Sequence, residues 1–457
     1  MNKRIFTTML AASLIAVPAF FGAGVSDASA QETITLELWS RADNSGPLRP
    51  GNILKGADAL NKVLEQEGAD YRVAIKVLEQ PSEGGYDSDA ERLLRAFAIG
   101  DKPDLFHAAH EWVCAFADGG YLYDMTDYTQ NHPEYFGDIF PSLWKSTECG
   151  GRRFAVPQDA EARMFFYNKD LMRKAGYDDA FIESLPDRVL AGEITLDDMS
   201  DIAKKIVDDT DAQFGIFHRP SRGPDYIMPF FQYGNTFMDP ASGKLLLEED
   251  KLAAAYGWFA RNVEIGATPA NNTSLEWDYI RDQFYKENNA AMWMYGIWDL
   301  GSNAFPRGVP SDKEGFLKQF GWTAAPAAAK GGKPGSLTHP IVYAVAKGDH
   351  AELAARVVGF ASDPTLNTDH AVSTTHLGIN RSQLQDPRYI EQWSLALATP
   401  LLEITKFMPN HPDFGTLNQI IYEGLQGVET GQLSAADAAD FVIGEAEARI
   451  PDSIEIK

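Results

Sequence analysis

Three charged residues at a spacing of two lie between two apolar runs near the middle of the chain. Asp159, Glu161 and Arg163 occur in GGRRFAVPQDAEARMFFYNKDLMRKAGY, which spans residues 150–177. A carboxylate accepts several hydrogen bonds, and those from polar or charged donors are the strong ones. We expect Asp159 to face a site, Glu161 to face solvent, and Arg163 either to bind a ligand or to neutralise Asp159.

The elements that must position these residues follow an α/β pattern. Short apolar strands are predicted at 154–157 and 163–167, and Asn168 is predicted to cap a helix that ends at Gly176. Alternating strands and helices precede them: strands at 34–39, 71–78 and 104–108, with helices at 53–67, 88–99 and from 112. The second half has predicted helices at 252–265, 277–286, 414–428 and 434–450, with strands at 290–295 and 341–346. A chain of 457 residues with this pattern predicts two lobes rather than one core.

Residues 1–30 have the composition of a signal peptide. Lys3 and Arg4 precede a short apolar run at 9–21, and Ala-Ser-Ala at 28–30 is a small-residue cleavage site. The run is too short to span a bilayer, and no cysteine follows it. We therefore expect a mature chain that begins near Gln31 and reaches the periplasm without a lipid anchor. The formal net charge of −25 argues against nucleic acid or an anionic membrane as a partner.

The chain has two cysteines, Cys114 and Cys149. In an oxidising compartment a disulfide between them is one expectation, and two unrelated buried thiols are the other. The sequence shows no local spacing of cysteines or histidines typical of a metal site, so neither a metal nor a cofactor is expected.

The phrase YNKDL at 167–171, followed by KAG at 174–176, resembles family 1 of the extracellular (periplasmic) solute-binding proteins of carbohydrate ABC importers. The same family is similar in four further segments: the strand ending at Trp39 with its loop, AIGDKPDLF to GGYL at 98–122, AAMWMYGIWD at 290–299, and 323–360. Its maltose-binding branch carries a closely similar Ala-His-acid phrase where this chain has Ala109-His110-Glu111. One departure is Thr338-His339, where many relatives carry Gly-Gly.

This resemblance implies a two-lobed α/β fold, the type II periplasmic binding protein fold, in which each lobe is a mainly parallel sheet flanked by helices and a ligand cleft lies between them. The implied N-terminal lobe is 31–160 plus 336–380, and the C-terminal lobe is 161–335 plus 381–457. The chain would cross between lobes near Asp159, Pro334 and Asn380.

A carbohydrate offers hydroxyl groups and apolar C–H faces, so its site needs acids, basic groups and aromatic rings. Residues that follow strands supply these types, at the sheet edge where α/β folds bind ligands. Trp298 is the expected stacking platform, and Trp293 is expected in the core. The alternative to a binding role for Arg41, Asp43 and Asn44 is a turn exposed to solvent. The alternative for Glu111 is to stabilise the N-terminus of a helix. The predicted ligand-binding residues are Arg41, Asp43, Asn44, His110, Glu111, Asp159, Arg163, Tyr295, Gly296, Trp298, Asp299 and His339.

The resemblance implies a monomeric binding protein, not an enzyme, that captures a carbohydrate or polyol by hinge closure and delivers it to the transmembrane subunits of an ABC permease. Two alternatives stay open. An anionic sugar could bind in the same fold through basic residues, which include His218 and Arg219. A secreted glycoside hydrolase could use Asp159 and Glu161 as paired acids. In the leading interpretation, Asp159→Ala abolishes binding and leaves folding intact, whereas Asn168→Ala costs about 1 kcal/mol of stability.

Overall fold

The computed structural model describes residues 31–41, 48–80 and 86–457. The predicted signal peptide and the predicted site residues Asp43 and Asn44 lie outside the described residues.

The strands of the described chain are mostly short, and the longest two stand at its start. In chain order they are β1 Glu32–Arg41, β2 Tyr71–Gln80, β3 Leu105–Ala109, β4 Glu148–Cys149, β5 Arg152–Arg153, β6 Ala155–Pro157, β7 Arg163–Asn168, β8 Phe214–Phe217, β9 Leu245–Leu247, β10 Ala290–Gly296, β11 Phe320–Thr323, β12 Ser336–Leu337, β13 Ile341–Val345, β14 Thr405–Lys406 and β15 Ile454–Ile456.

The α-helices are α1 Gly51–Glu67, α2 Tyr86–Ala98, α3 Val113–Asp118, α4 Thr126–Asn131, α5 Pro133–Phe136, α6 Pro141–Trp144, α7 Lys169–Lys174, α8 Asp179–Leu190, α9 Leu196–Asp209, α10 Met228–Gln232, α11 Glu249–Glu264, α12 Trp277–Arg281, α13 Lys313–Gln319, α14 Ala351–Ala361, α15 Pro364–Thr374, α16 Pro387–Glu391, α17 Trp393–Ala398, α18 Phe414–Glu429 and α19 Ala435–Arg449. The helix predicted at 277–286 is one α-helical turn, α12, that continues as π-helix over Asp282–Lys286.

Two sheets organise these elements into two lobes, which confirms the predicted α/β class. The first sheet has the order β2-β1-β3-β13-β6, and the second has the order β14-β12-β7-β10-β8, with β11 also paired to β7. We call the body around the first sheet the first lobe and the body around the second sheet the second lobe. Helices α9, α11, α18 and α19 enclose the apolar core of the second lobe.

The pairing within each sheet is more mixed than the predicted pattern. Strand β1 runs parallel to β2 and β3, but β13 runs antiparallel to β3 and β6. The reason is the direction from which β13 enters. It arrives from the second lobe, so it begins at the sheet edge where β3 ends.

Two adjacent segments carry the chain between the sheets, and a third passage lies between β13 and β14. The first crossing, residues 158–162, leads from β6 to β7, and the second crossing, residues 338–340, leads from β12 to β13. The two are held together because the Gln158 amide donates to the Ile341 carbonyl at 2.8 Å and the Glu161 amide donates to Thr338 Oγ1 at 3.0 Å. Strand β12 belongs to the second sheet, so we place this crossing after Leu337. The lobe boundaries given above stay a prediction.

Several helix ends follow the chemistry that the sequence predicts. Helix α1 ends at Gly68, whose φ of 73° is a left-handed conformation that suits glycine. Asn168 caps α7, because its side chain accepts a hydrogen bond from the Leu171 amide. Ser434 and Asp437 form a capping box at α19. Among the described residues, no helix combines the length and apolar character needed to cross a membrane.

Cys114 in α3 and Cys149 in β4 are joined by a disulfide in the structure. The bond ties the helix that follows β3 to the small β4–β5 hairpin.

We predict that the mature protein, denatured without reductant, exposes no titratable thiol. Replacing both cysteines by serine should lower the free energy of unfolding by about 3 kcal/mol, because the bond closes a loop of 35 residues in the unfolded chain. Urea unfolding of the wild type and the double variant measures the difference. Two reactive thiols in the denatured wild type would contradict the pairing.

Candidate ligand-binding site

The crossings and the ends of β3 and β10 bring most of the predicted site residues to the junction of the two lobes. His110 and Glu111 follow β3, and Trp298 and Asp299 follow β10. Asp159 lies in the first crossing and His339 in the second. Most of these side chains are buried, so the junction is a packed assembly of charged and aromatic groups.

Asp159 is turned into the first lobe and is only 1% exposed. Its oxygens accept hydrogen bonds from Arg49 Nη1 at 2.8 Å, from His370 Nε2 at 3.2 Å and from the Ile341 amide at 3.2 Å. Burial acts to raise its pKa, but Arg49 and the nearby histidines outweigh burial and hold the pKa well below the usual range. The prediction that Asp159 faces a ligand and is dispensable for folding is therefore revised: its carboxylate is engaged inside the protein.

Glu161 is also buried, at 7% exposure, against the expectation that it faces solvent. Its Oε2 lies 2.5 Å from Arg163 Nη1, and its Oε1 lies 3.7 Å from His376 Nε2. Burial would raise the Glu161 pKa, but Arg163 and His376 lower it to about 2. Residues two apart share one face of a regular strand, but the crossing is not a strand, and Asp159 and Glu161 have different ion-pair partners. Protein covers both side chains.

Arg163 begins β7 and therefore belongs to the second lobe. Besides Glu161 it binds Asp225, whose Oδ1 accepts from Nε at 2.7 Å. Asp225 in turn accepts a 2.8 Å hydrogen bond from Arg219 Nη1. Arg163 thus neutralises Glu161 and Asp225 and not Asp159, which was one of its two predicted roles. Ligand binding, the other role, stays a prediction.

Aromatic rings border this charged group. The Arg163 guanidinium lies 4.6 Å from the centre of the Trp298 ring, which is partly exposed and stacks towards His376 at 6.4 Å. A side chain at Gly296 would overlap the Trp298 ring, so glycine lets the indole lie against the strand. Tyr295 stacks on Trp293 at 4.5 Å, and Trp293 is fully buried as expected. A stacking role for Trp298 stays a prediction.

Asp299 points away from the junction, into the second lobe, and is fully buried. Asn303 donates to its Oδ1 at 2.6 Å, and Arg281 Nε lies 3.4 Å away. Burial raises its pKa to about 6, although Arg281, Tyr285 and Asn303 act in the opposite direction. The contacts give Asp299 a structural position instead of the predicted ligand contact.

His110, Glu111 and His339 form a second group, which we call the His-Glu-His cluster. His339 Nε2 lies 2.8 Å from Glu111 Oε1, and His110 Nδ1 lies 3.2 Å from Glu111 Oε2. Burial lowers the His110 pKa to about 4. Burial would raise the Glu111 pKa, but the two histidines lower it to about 2. Glu111 is part of a short 3₁₀ turn, yet its carboxylate is engaged with histidines.

A cavity of about 310 Å³ opens beside this cluster and is lined from both lobes. We call it the interlobe cavity. The first lobe contributes Glu111 and Trp112, and Arg41 lies over the Trp112 ring at 5.6 Å. The remaining lining residues were not predicted: Ala90, Glu91, Leu94, Ala115, Arg222, His411, Pro412, Gly415, Thr416, Gln419 and Arg449. A local sequence signal for the cavity exists only at Thr416 and Gln419, which are three apart on α18 and therefore form a polar pair on one helix face.

The family of the chain follows from comparison with known proteins. A family model described as bacterial extracellular solute-binding protein matches residues 54–366, more than half of the chain. The chain belongs to this family. The maltotriose-binding protein of Pyrococcus abyssi is 23% identical over 346 residues, which cover 74% of this chain and 68% of that protein.

Solved structures give the same fold for this solute-binding protein. The sugar-binding protein MalE of Xanthomonas citri has a TM-score of 0.71 at 18% identity and matches 91% of this chain and 97% of its own. The GacH receptor of Streptomyces glaucescens, solved without ligand and with acarbose, has a TM-score of 0.68 at 19% identity, over 92% and 99% of the two chains. The resemblance and the two-lobed fold are thus confirmed.

We predict that Asp159→Ala destabilises this solute-binding protein by about 3–5 kcal/mol, because it removes a buried counter-charge from Arg49. Urea unfolding measures the change. The control is Asp170→Ala, whose ion pair with Arg173 is half exposed and worth less than about 1 kcal/mol. Equal small effects for the two variants would contradict the assigned role.

Asp299 should make stability fall as the pH rises from about 4 to about 6. Its pKa is higher in the folded state than the ordinary value of 3.8, so the folded state holds the proton more tightly in this window. The stabilisation is fully present below about pH 4 and is lost through pH 6, a change on the order of 3 kcal/mol.

Asp299→Asn should remove this part of the pH dependence, measured by urea unfolding at pH 4, 5, 6 and 7. His376 also makes stability fall as the pH rises, but at higher pH. Asp159 and Glu161 raise its pKa against the effect of burial. Because the variant retains His376, the difference between the two proteins isolates Asp299. Parallel curves for wild type and variant would contradict the raised pKa.

Proposed function

We propose that the protein is the substrate-binding subunit of an ABC importer and captures a neutral carbohydrate or polyol between its lobes. Its family and the sugar-binding relatives support this class. In this proposal it acts as a periplasmic monomer and delivers the ligand to the transmembrane subunits of the permease.

The interlobe cavity is the observation that carries the proposal. Its charged lining is balanced, with the carboxylates of Glu91 and Glu111 and the guanidinium groups of Arg222 and Arg449. Thr416 and Gln419 add neutral groups that donate and accept, and Trp112 adds an aromatic ring. Hydroxyl groups also donate and accept, so they suit such a lining better than a net charge does. A volume of about 310 Å³ is within the range of pockets for small ligands.

The origin of the lining supports hinge closure. The first lobe supplies Glu111 and Trp112, whereas Arg222 and α18 belong to the second lobe. A ligand touches both sets only when the lobes are close together, so it binds the closed state better and shifts the population towards it. The two crossings are the segments at which such a motion would pivot.

A hydrolase is not supported by the arrangement of the two acids. A glycosidase needs two carboxyl groups that flank one bond. Asp159 is held by Arg49 and His370 in the first lobe, while Glu161 is held by Arg163 at the start of β7. We therefore propose binding without turnover.

A thermal-shift screen with neutral mono- and oligosaccharides, polyols and phosphorylated sugars tests the proposal. A neutral sugar or polyol should raise the melting temperature, because it binds the folded state only. A rise with phosphorylated or sulfonated sugars alone would favour an anionic ligand instead. No rise with any compound would contradict the proposal.

Arg222→Gln should weaken the ligand found in this way by about 10- to 100-fold, the value of a hydrogen bond from a charged group. Titration calorimetry measures the affinity. Arg188→Gln is the matched control, since Arg188 of α8 pairs with Glu193 and does not line the cavity. Equal affinities for wild type and Arg222→Gln would place the ligand elsewhere.

A further inference from the structure

We propose that the His-Glu-His cluster is a binding site for a divalent transition-metal ion of the Zn²⁺ class. The cluster comprises His110, Glu111 and His339, and one ligand atom from each residue lies within 4.8 Å of the others. His110 and His339 are almost completely buried, and the Glu111 side chain is 11% exposed. The proposal does not depend on carbohydrate binding.

The hydrogen bond at the far side of His110 is the first argument. The carbonyl oxygen of Met408 lies 3.0 Å from His110 Nε2 and can only accept, so Nε2 carries the hydrogen. His110 Nδ1 is then turned towards Glu111 Oε2 at 3.2 Å, and neither of these two buried atoms has a hydrogen bond. Without a proton on Nδ1, a lone pair and a carboxylate oxygen face each other, and a cation between them would resolve the conflict.

The hydrogen bond from His110 to Met408 matches the pattern of a metal-bound histidine. Such a histidine donates its second ring N–H to a carbonyl or carboxylate, which fixes the ring and the tautomer. Met408 supplies this carbonyl from the segment that follows β14. A histidine with a purely structural role would direct its second ring nitrogen at a donor, whereas Nδ1 of His110 faces the acceptor Glu111 Oε2.

The distance between His110 and Glu111 fits neighbouring ligands of a tetrahedral ion. Bonds of about 2.0–2.2 Å to nitrogen and oxygen place neighbouring ligand atoms about 3.3 Å apart. His110 Nδ1 lies 3.2 Å from Glu111 Oε2, close to this spacing. His339 Nε2 lies 2.8 Å from the other oxygen, Oε1, in a hydrogen bond that metal binding would replace. Two imidazoles and one carboxylate leave a fourth position for water or for a ligand oxygen. Glu111 also lines the interlobe cavity, so this position is close to the proposed ligand.

The donor set selects the class of ion. Imidazole nitrogen binds Zn²⁺ and its neighbours in the first transition row, whereas Mg²⁺ and Ca²⁺ prefer oxygen ligands throughout. No local spacing could reveal the site, because Glu111 and His339 are 228 residues apart. They meet because β13 pairs with β3, which places the second crossing beside His110. A bound ion would fasten that crossing to the first lobe.

The test uses the full mature protein after treatment with a chelator and dialysis. Titration calorimetry should show one Zn²⁺ per chain with a raised melting temperature, and Mg²⁺ should produce neither effect. Co²⁺ should give the intense visible absorption of a four-coordinate site, and Zn²⁺ should displace it. Glu111→Gln and His339→Gln should each weaken Zn²⁺ binding at least tenfold. His132→Gln, a partly exposed histidine paired with Glu134, should leave it unchanged.

Circular dichroism and the melting temperature without metal must match between wild type and variants, so that a loss of affinity reports the site and not the fold. Should either variant fail to fold, the Co²⁺ spectrum of the wild type decides alone. Absence of that spectrum would overturn the proposal, as would equal Zn²⁺ affinity in wild type, Glu111→Gln and His339→Gln. In those cases the cation between His110 and Glu111 is a proton.

Discussion

Compensation of buried negative charge in the first crossing is the constraint on which the rest of the structure depends. Asp159 and Glu161 are both removed from water, and an isolated buried carboxylate is very unfavourable. The cations come from different places: Arg49 of the first lobe binds Asp159, and Arg163 at the start of the second lobe binds Glu161. The position of the strands on both sides follows from this pair of attachments.

The second crossing takes its position from the first, and the candidate sites take theirs from both. Hydrogen bonds from Gln158 and Glu161 hold the second crossing in place, and β13 then enters the first sheet beside β3. This entry brings His339 to the two polar residues that follow β3. The charged groups thus divide into two sets: ion pairs that are closed inside the protein, and side chains at the rim of the interlobe cavity, where a ligand can reach both lobes. Arg163 and Asp225 belong to the first set, and Glu111, Arg222 and Arg449 belong to the second.

Local features were predictable from the sequence, and long-range partners were not. Gly68 ends α1 and Asn168 caps α7 because the signals for both lie within one helical turn. The expectation that Glu161 faces solvent was wrong, because its neighbour His376 is more than 200 residues away in sequence and local spacing could not reveal it. Arg49 and His370, which bind Asp159, are more than 100 residues away on either side. From the sequence, the polar face of α18 cannot be distinguished from a solvent-exposed helix face, because only the packing of the lobes makes it part of a cavity.

The central claim is that the ligand lies in the interlobe cavity and contacts both lobes at once. A crystal structure of the protein with the neutral sugar or polyol that stabilises it most tests this claim directly. The account predicts the ligand between Trp112 of the first lobe and Arg222 and α18 of the second, within hydrogen-bonding distance of both sets. A ligand bound to one lobe alone, outside the space enclosed by these residues, would contradict the account.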